Sequence, residues 1–226
     1  MKETYRSKSF LAMKEEDKVE ECEVRFGING CQRSKKYPTV IRIGKSVKTI
    51  VPSMLTDSWS LQYVHDIKVD EENKYFCDVD GVLFTKDKTK LVAFPRGRVG
   101  DIYCVPEGTL IIGENAFSNS YVTEIKTPAS VSVLEKQSFY ASYSYLVDLS
   151  DSPIKKMGAG CFKECDIYVV RNKTLPRELM YAENWKGTRF VSPDKKEKIC
   201  EKYSAALSMN TLIGIVMSKF KPGSNR

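Results

Sequence analysis

The chain has 226 residues, of which 42% are hydrophobic and 29% charged, and its formal net charge is +7. This composition is ordinary for a folded protein and excludes wholesale disorder. Because Lys and Arg are interspersed with Asp and Glu over most of the length, the charge pattern also argues against a continuous nucleic-acid footprint.

Residues 1–40 are predicted to be a charged lead-in and an N-terminal cap. Residues 14–18 form the charged run KEEDK, and the alternating segment Glu21–Phe26, ECEVRF, predicts a first capping strand. The N-terminus contains no apolar core typical of a secretory signal, and no apolar run in the chain reaches the roughly 18 residues that span a bilayer. By themselves, these features indicate a soluble, intracellular protein without a transmembrane segment.

The middle of the chain is organised by a repeat. The stretch Val105–Asn119, VPEGTLIIGENAFSN, returns as Thr127–Ala141, TPASVSVLEKQSFYA, with matching residues shifted by 22 positions. A third copy ends at Phe162, one position later than an exact repeat of that shift, and an upstream copy ends at Leu55, which takes the place of Phe. A unit this short cannot bury its apolar face alone, so the copies are predicted to stack as a solenoid.

Each copy is predicted to comprise a short strand, a turn, and an apolar series that closes on the large side chain. In the strands, apolar residues alternate with polar ones, as in IRI at residues 41–43, and the apolar ones are predicted to face the core. The series that follows suits a turn of α-helix or 3-10 helix on the opposite side. We expect Phe117, Phe139 and Phe162 to form one buried column.

This pattern resembles I-x-I-P-x-x-V-x-x-I-G-x-x-A-F, the repeat of BspA-like leucine-rich-repeat proteins of anaerobic bacteria and parasitic protists. The matching segments are IKTPASVSVLEKQSF and YCVPEGTLIIGENAF, and the resemblance covers roughly residues 41–170. It implies a leucine-rich-repeat solenoid, a β-rich α/β fold with parallel strands stacked on one face and short helical or 3-10 turns on the other. The caps would be residues 1–40 and residues 171–226.

The resemblance implies a non-enzymatic protein-interaction module of the surface or adhesion type, whose partner is a protein or an acidic glycan. It implies a location at the cell surface or outside the cell, whereas the absence of a signal peptide from the sequence leaves a cytoplasmic location open. The alternative function is an intracellular scaffold or a nucleic-acid-associated protein that uses its basic surface. A hydrolase with an unusual site remains a formal third hypothesis.

An insert at residues 70–97 interrupts the repeats and is also similar to the inter-repeat insert of that family. Turn signals at residues 80–81 (DG) and 86–88 (KDK) bracket the apolar run VLF, and LVAF follows. The pattern predicts a β-hairpin with its tip around Asp87, and this hairpin is expected to be the most individual surface feature of the middle region.

After Val170 the repeat period fades, as expected for a C-terminal cap. A short helix is predicted between Thr174 and Trp185, and a second helix is predicted to begin at Ser192 with Pro193 at its first position. The residues that the second helix would place on one face include Ile199, Tyr203 and Leu207.

The sequence contains no residue constellation typical of a catalytic, cofactor or metal site, and it suggests no small-molecule substrate. The single histidine, His65, precedes a strand and is expected to face solvent. Cys161 and Cys165 match a zinc site poorly because no histidine is near them, and Cys161 is expected to be a reduced structural thiol. The sequon NKT makes Asn172 a glycosylation candidate if the chain enters a secretory route.

The candidate partner-binding site is the outward column of the stacked strands. The register inferred from the repeats gives the column Arg42, Lys68, Cys104, Lys126, Asp148 and Tyr168. Adjacent strands lie about 4.8 Å apart, so these strands would make a ribbon of roughly 25 Å, which is large enough to contact a protein. We expect this face, with the hairpin tip, to bind an acidic macromolecule; the alternative is that its side chains only keep the sheet soluble.

Overall fold

The computed structural model describes residues 26–27, 30–31, 40–51, 55, 61, 63–98, 102–177, 179 and 187–204. The strands are, in chain order, β1 (Phe26–Gly27), β2 (Gly30–Cys31), β3 (Val40–Ile43), β4 (Asp66–Val69), β5 (Phe76–Val79), β6 (Val82–Thr85), β7 (Lys90–Ala93), β8 (Ile102–Cys104), β9 (Ile111–Ile112), β10 (Glu124–Lys126), β11 (Val133–Leu134), β12 (Leu146–Asp148), β13 (Lys156–Met157), β14 (Ile167–Val170) and β15 (Thr188–Val191). A 3-10 helix at Pro193–Lys195 leads into helix α1, which is described over residues 196–204.

Two ladders of parallel strands run through the repeat region. The front sheet has the order β15-β14-β12-β10-β8, and the back sheet has the order β13-β11-β9-β7-β6-β5. In the back sheet, Ile112 pairs with Leu134 and Leu134 pairs with Met157, so neighbouring coils are offset by the same shifts that separate the copies in the sequence. The predicted parallel-strand solenoid is confirmed.

One column of phenylalanine rings runs through the core of the solenoid. Ring centroids lie 5.2 Å apart for Phe94 and Phe117, 5.3 Å for Phe117 and Phe139, and 5.1 Å for Phe139 and Phe162. All four rings are buried, and Phe190 meets Phe162 edge-on at 5.9 Å. The predicted column is confirmed, and its ring spacing follows the strand spacing of about 4.8 Å.

Hydrogen-bonded turns, rather than regular helices, follow the back-sheet strands. In residues 114–119, the amides of Ala116 and Ser118 bond to carbonyls three residues earlier, whereas the amides of Phe117 and Asn119 bond to the next coil. Asn115 and Asn119 have positive φ values, 55° and 56°, which a 3-10 helix does not contain. The bonds between residues three apart continue at Ser120 and belong to successive β-turns, so the predicted turn of α-helix or 3-10 helix does not form in this segment.

Glycine is needed where two coils approach closely. A methyl group on Gly158 would lie 2.3 Å from the amide nitrogen of Lys136 in the preceding coil. A similar group on Gly113 would lie 2.6 Å from the carbonyl oxygen of Leu91. Both separations are shorter than any normal contact, so a side chain here would force the coils apart.

The insert folds as a three-stranded antiparallel meander, β5-β6-β7, with both faces buried. Val82 and Phe84 pack into the phenylalanine core, whereas Leu83 belongs to a second apolar cluster that contains Ile43 and Ile67. The predicted β-hairpin is present as β6 and β7, and residues 86–88 are exposed at its tip. The expectation that the hairpin is chiefly a surface feature is wrong, because the uninterrupted run VLF is typical of a strand covered on both faces. β7 then pairs with β9 in parallel, so the insert begins the back sheet.

The upstream copy of the repeat packs separately from the others. β3 and β4 form a two-stranded parallel sheet, and Leu55 lies in the second apolar cluster instead of in the phenylalanine column. The ring that precedes Phe117 in the column is Phe94, which comes from the end of the insert. The equivalence of Leu55 with the repeat phenylalanines therefore holds in the sequence but not in the packing.

The C-terminal end of the solenoid contains a strand that the repeat pattern did not predict. β15 pairs in parallel with β14 and extends the front sheet. The helical segment predicted after Ser192 is confirmed, although the Ser192 side chain makes no capping hydrogen bond. The predicted Glu21–Phe26 strand, the short helix between Thr174 and Trp185, and Leu207 lie wholly or largely outside the described residues. Within the described part, no helix is long and apolar enough to cross a membrane.

Replacing Phe139 by Ala removes the middle ring of the column and leaves a cavity between its two neighbours. We expect the free energy of unfolding to fall by about 3–5 kcal/mol, because no other side chain can fill the space. Urea denaturation followed by circular dichroism measures this loss. Tyr75→Ala is the matched control, because Tyr75 is an exposed aromatic residue and its loss should change the same quantity by less than about 0.5 kcal/mol. Equal effects of the two substitutions would contradict the role of the column.

Candidate functional site

The outward positions of the front sheet form two columns. The first column contains Ile102, Glu124, Leu146, Tyr168 and Arg189. The second column contains Cys104, Lys126, Asp148, Val170 and Val191. The predicted neighbours Cys104, Lys126 and Asp148 are thus brought together in adjacent strands.

Tyr168 does not lie in the predicted column. It pairs with Leu146 of β12, and the residue next to Asp148 is Val170. Because Tyr168 precedes Val170 by two positions in β14, it belongs to the first outward column and not to the second. The prediction therefore placed Tyr168 in the wrong column, two residues before the position that pairs with Asp148.

The other two residues of the predicted column lie on a different sheet. Arg42 pairs with Lys68 across β3 and β4, and both side chains are exposed. Among the described strands, neither β3 nor β4 pairs with the front sheet, so the predicted ribbon is divided into two parts. The Lys68 ammonium lies 3.4 Å from Asp66 and 3.6 Å from Asp78, and these carboxylates partly balance its charge.

The front sheet is open to solvent at its N-terminal end. On β8, Ile102 is 61% exposed and Cys104 is also exposed, and Lys126 is exposed on β10. This open patch, formed by Ile102, Cys104 and Lys126, combines an apolar side chain, a thiol and a cation. It lies beside Glu124, which is mostly buried.

Helix α1 packs on the middle of the front sheet, over β10 and β12. The ammonium of Lys196 lies 2.6 Å from Oδ2 of Asp148 and 2.8 Å from Oε1 of Glu124. The ring of Tyr203 stacks on Tyr145 with a centroid distance of 3.9 Å. The hydroxyl of Tyr145 also donates to the carbonyl of Ile199 at 3.3 Å.

Three outward residues of β12 and β14 are buried. Leu146 and Val170 point away from the phenylalanine core, and yet both are buried. Asp148 is only 3% exposed, so the prediction that its side chain lies on an open binding surface is wrong. The physical reason is the contact with Lys196, which the linear sequence does not reveal.

The ion pair between α1 and the sheet favours the charged form of both partners. Burial alone would raise the pKa of Asp148, but hydrogen bonds from Lys196 and Ser150 hold this pKa below its ordinary value of 3.8. Burial would lower the pKa of Lys196, but its hydrogen bonds to Asp148 and Glu124 raise this pKa above 10.5. Near neutral pH, the lysine therefore links α1 to two carboxylates on neighbouring strands.

The remaining candidate residues are placed as follows. His65 is exposed, as expected. The side-chain amide nitrogen of Asn172 donates to the carbonyl oxygen of Ser150 at 2.7 Å. A glycan on that nitrogen would replace one of its two hydrogens and leave one N–H to donate. Cys161 is a buried thiol that donates to the carbonyl oxygen of Gly158 at 3.0 Å. Within the ranges that the structure describes, no group of three or more His, Cys, Asp or Glu residues could hold a metal ion.

The residues that cover the sheet were largely missed by sequence reasoning. Tyr203 was recognised as part of one helix face, but Lys196 gives no signal of its partner because Asp148 lies far away in the chain. The helix begins at the predicted place, and only its docking direction decides which of its side chains reach the strands. An amphipathic pattern predicts that a face is buried, and it does not predict against which surface.

The architecture defines a class of protein, the parallel-strand repeat solenoids. The family model "BspA type Leucine rich repeat region (6 copies)" matches residues 102–184. These residues are therefore a BspA-type leucine-rich-repeat region, and the resemblance seen in the sequence is confirmed. No curated protein matches the chain.

Three solved bacterial structures are similar to the chain. A leucine-rich repeat protein from Eubacterium ventriosum ATCC 27560 is 20% identical with a TM-score of 0.54, over 68% of this chain and 42% of that one. The pneumococcal vaccine antigen PcpA is 21% identical with a TM-score of 0.47, over 60% and 39%. A leucine rich cell surface protein from Faecalibacterium prausnitzii A2-165 is 16% identical with a TM-score of 0.42, over 72% and 51%. The chain thus spans about half or less of each of these proteins, and the first similarity shows the fold alone.

Replacing Asp148 by Asn removes the buried negative charge while keeping the shape of the side chain. At neutral pH we expect the free energy of unfolding to fall by about 1–3 kcal/mol, because Lys196 loses a charged partner. The pKa of Asp148 is lowered on folding, so its stabilising contribution is present above 3.8 and is lost as the pH falls through the folded value. Chemical denaturation of both proteins should therefore show a difference that shrinks in acid.

The matched control for this variant is Asp151→Asn, because Asp151 is an exposed aspartate close to Asp148 in sequence. Its free energy of unfolding should stay within about 0.5 kcal/mol of the unsubstituted protein. If Asp148→Asn were equally mild, or if its effect grew in acid, the ion pair with Lys196 would not hold α1 on the sheet.

Proposed function

We propose that this chain is a non-enzymatic interaction module. It binds an acidic protein or an acidic glycan through the open patch of its front sheet. Leucine-rich repeats typically serve as protein-interaction modules, generally bind macromolecular partners and are generally non-enzymatic. A solenoid offers an extended surface for recognition, and its function depends on the side chains along that surface.

The observation that carries this proposal is the uneven cover of the front sheet. Leu146, Asp148 and Val170 are buried on β12 and β14, whereas Ile102 is 61% exposed on β8. Ile102 lies beside Cys104 and Lys126, and an apolar centre with a polar rim is the usual arrangement of a protein interface. The open patch is therefore the proposed centre of the interface.

The charge around this centre favours an acidic partner. Lys126 lies in the open patch, and Arg42 and Lys68 lie on the neighbouring sheet. Asp66 and Asp78 partly balance the charge of Lys68, so Arg42 and Lys126 are expected to contribute most. Cations at the edge of an interface mainly accelerate association and select partners of opposite charge.

Reversing three charges tests the site directly. Arg42→Glu, Lys68→Glu and Lys126→Glu in one protein should abolish binding to an acidic glycan, with heparin as the probe, and to an acidic protein. The matched control is Lys155→Glu, Lys156→Glu and Lys173→Glu. It changes the net charge by the same amount, at exposed positions outside the front sheet and outside the sheet of β3 and β4. Surface plasmon resonance should show retained binding for the control.

Two outcomes would contradict the proposed site. Equal loss in both triple variants would mean that only net charge matters, and unchanged binding in both would mean that the face is not used. Titration with salt separates the alternative of nucleic-acid association, because binding of duplex DNA through phosphate contacts loses affinity steeply as salt rises. Tight, sequence-independent DNA binding with that dependence would favour the alternative.

We also propose that the protein acts at the cell surface or outside the cell, as the resemblance to surface leucine-rich-repeat proteins implies. Protease treatment of intact cells provides the test. We expect the protein to be digested while a cytoplasmic marker in the same cells is protected. Full protection of the protein would contradict an outside location and favour the intracellular scaffold.

A further inference from the structure

A short stack of tyrosine rings lies where the coil turns lead into the front sheet. Tyr121 and Tyr143 each follow a column phenylalanine by four positions, and their rings stack at 4.8 Å with an interplanar angle of 10°. The guanidinium of Arg96 lies 5.8 Å from the centroid of the Tyr121 ring. At the other end of the stack, Tyr143 is 64% exposed although one ring face contacts Tyr121. Its second ring face is therefore open to solvent.

The next coil ends the stack because it is one residue shorter at this corner. Seven positions separate Phe139 from Leu146, but only six separate Phe162 from Tyr168, although Leu146 pairs with Tyr168. The residue four positions after Phe162 is Asp166, whose short side chain does not continue the aromatic column.

In the coil that follows Tyr143, Asp166 instead forms an ion pair with Arg189 of the coil beyond. Its carboxylate accepts a hydrogen bond from Arg189 at 2.6 Å, and both side chains are about half or more exposed. Backbone bonds on either side of this corner, from Ala141 to Lys163 and from Tyr168 to Tyr145, keep the two coils adjacent. Asp166 therefore lies one coil beyond the open ring and Arg189 lies two coils beyond it, and successive coils are about 4.8 Å apart.

We infer that the open face of Tyr143, together with the Asp166–Arg189 pair, binds a neutral saccharide. The flat C–H face of a sugar ring carries partial positive charge, and it is attracted to the negative face of an aromatic ring. Sugar hydroxyls both donate and accept, so they can pair with the carboxylate of Asp166 and with the N–H groups of Arg189 at once. A flat platform with a few convergent polar groups suits this class of ligand.

Other ligand classes fit this arrangement less well. The charges of Asp166 and Arg189 cancel, so this ion pair does not select a ligand of either net charge. The carboxylate also repels the phosphates that accompany stacked nucleic-acid bases. Proline-rich peptides bind in grooves between aromatic residues, whereas Tyr121 and Tyr143 form a single column without a groove between them. A saccharide needs only the one exposed face.

This site is separate from the proposed macromolecular interface. It shares no residue with the open patch of Ile102, Cys104 and Lys126, although Arg189 lies in the first outward column of the front sheet. The triple charge reversal should leave saccharide binding unchanged, and loss of the tyrosine platform should leave heparin binding unchanged. Each proposal can therefore fail while the other stands.

The experiment is saturation-transfer NMR on the full chain with neutral hexasaccharides of glucose, mannose, galactose and N-acetylglucosamine. We expect transfer to the C–H protons of at least one of them. Tyr143→Ala should weaken that binding at least tenfold, which corresponds to about 1.4 kcal/mol. Tyr143→Phe should keep most of it because the ring face remains.

Tyr75→Ala is the matched control, because Tyr75 is an exposed tyrosine outside this corner. It should bind like the unsubstituted protein, and circular dichroism should show that all variants are folded. No transfer to any of the four oligosaccharides would overturn the proposal. Unchanged binding in Tyr143→Ala, or preferential binding of poly(uridine) at Tyr143, would overturn it as well.

Discussion

The stacking of each coil on the next is the constraint on which the rest of this structure depends. Backbone hydrogen bonds hold successive coils at the offset of the sequence repeat, and the column of buried rings around Phe139 fills the space inside. Because neither a coil nor its apolar face is stable alone, register and packing stabilise each other. The same offset places equivalent surface residues in columns. A surface property is therefore repeated along a column as long as successive coils carry similar residues at that position.

The insert limits how far this regularity extends. Its central strand carries apolar residues on both faces and separates the phenylalanine core from a second cluster around Ile67. As a result, the described strands β3 and β4 form their own small sheet, and Arg42 and Lys68 are set apart from the open patch on β8 and β10. The same residues that stabilise the N-terminal end of the solenoid therefore divide its outward surface.

Helix α1 determines the character of the outward surface at the other end. Its Lys196 ammonium pairs with the carboxylates of both Asp148 and Glu124, and Asp148 is buried. An acidic side chain is thereby removed from the solvent-facing column, and what remains exposed is more cationic than the column as a whole. A partner would meet the edge of this cover next to Ile102.

The repeat period alone determined the architecture, because apolar residues at a constant spacing have one way to bury their faces together. Phe117, Phe139 and Phe162, the strand positions of Cys104 and Lys126, and the helix after Ser192 were all predictable from local patterns. Only the tertiary structure decided that the insert lies between two cores, that Tyr168 pairs with Leu146, and that Lys196 buries Asp148. Local periodicity indicates which face of an element is buried. The surface against which that face packs depends on contacts between residues far apart in the chain, and such contacts produce no periodic pattern in the sequence.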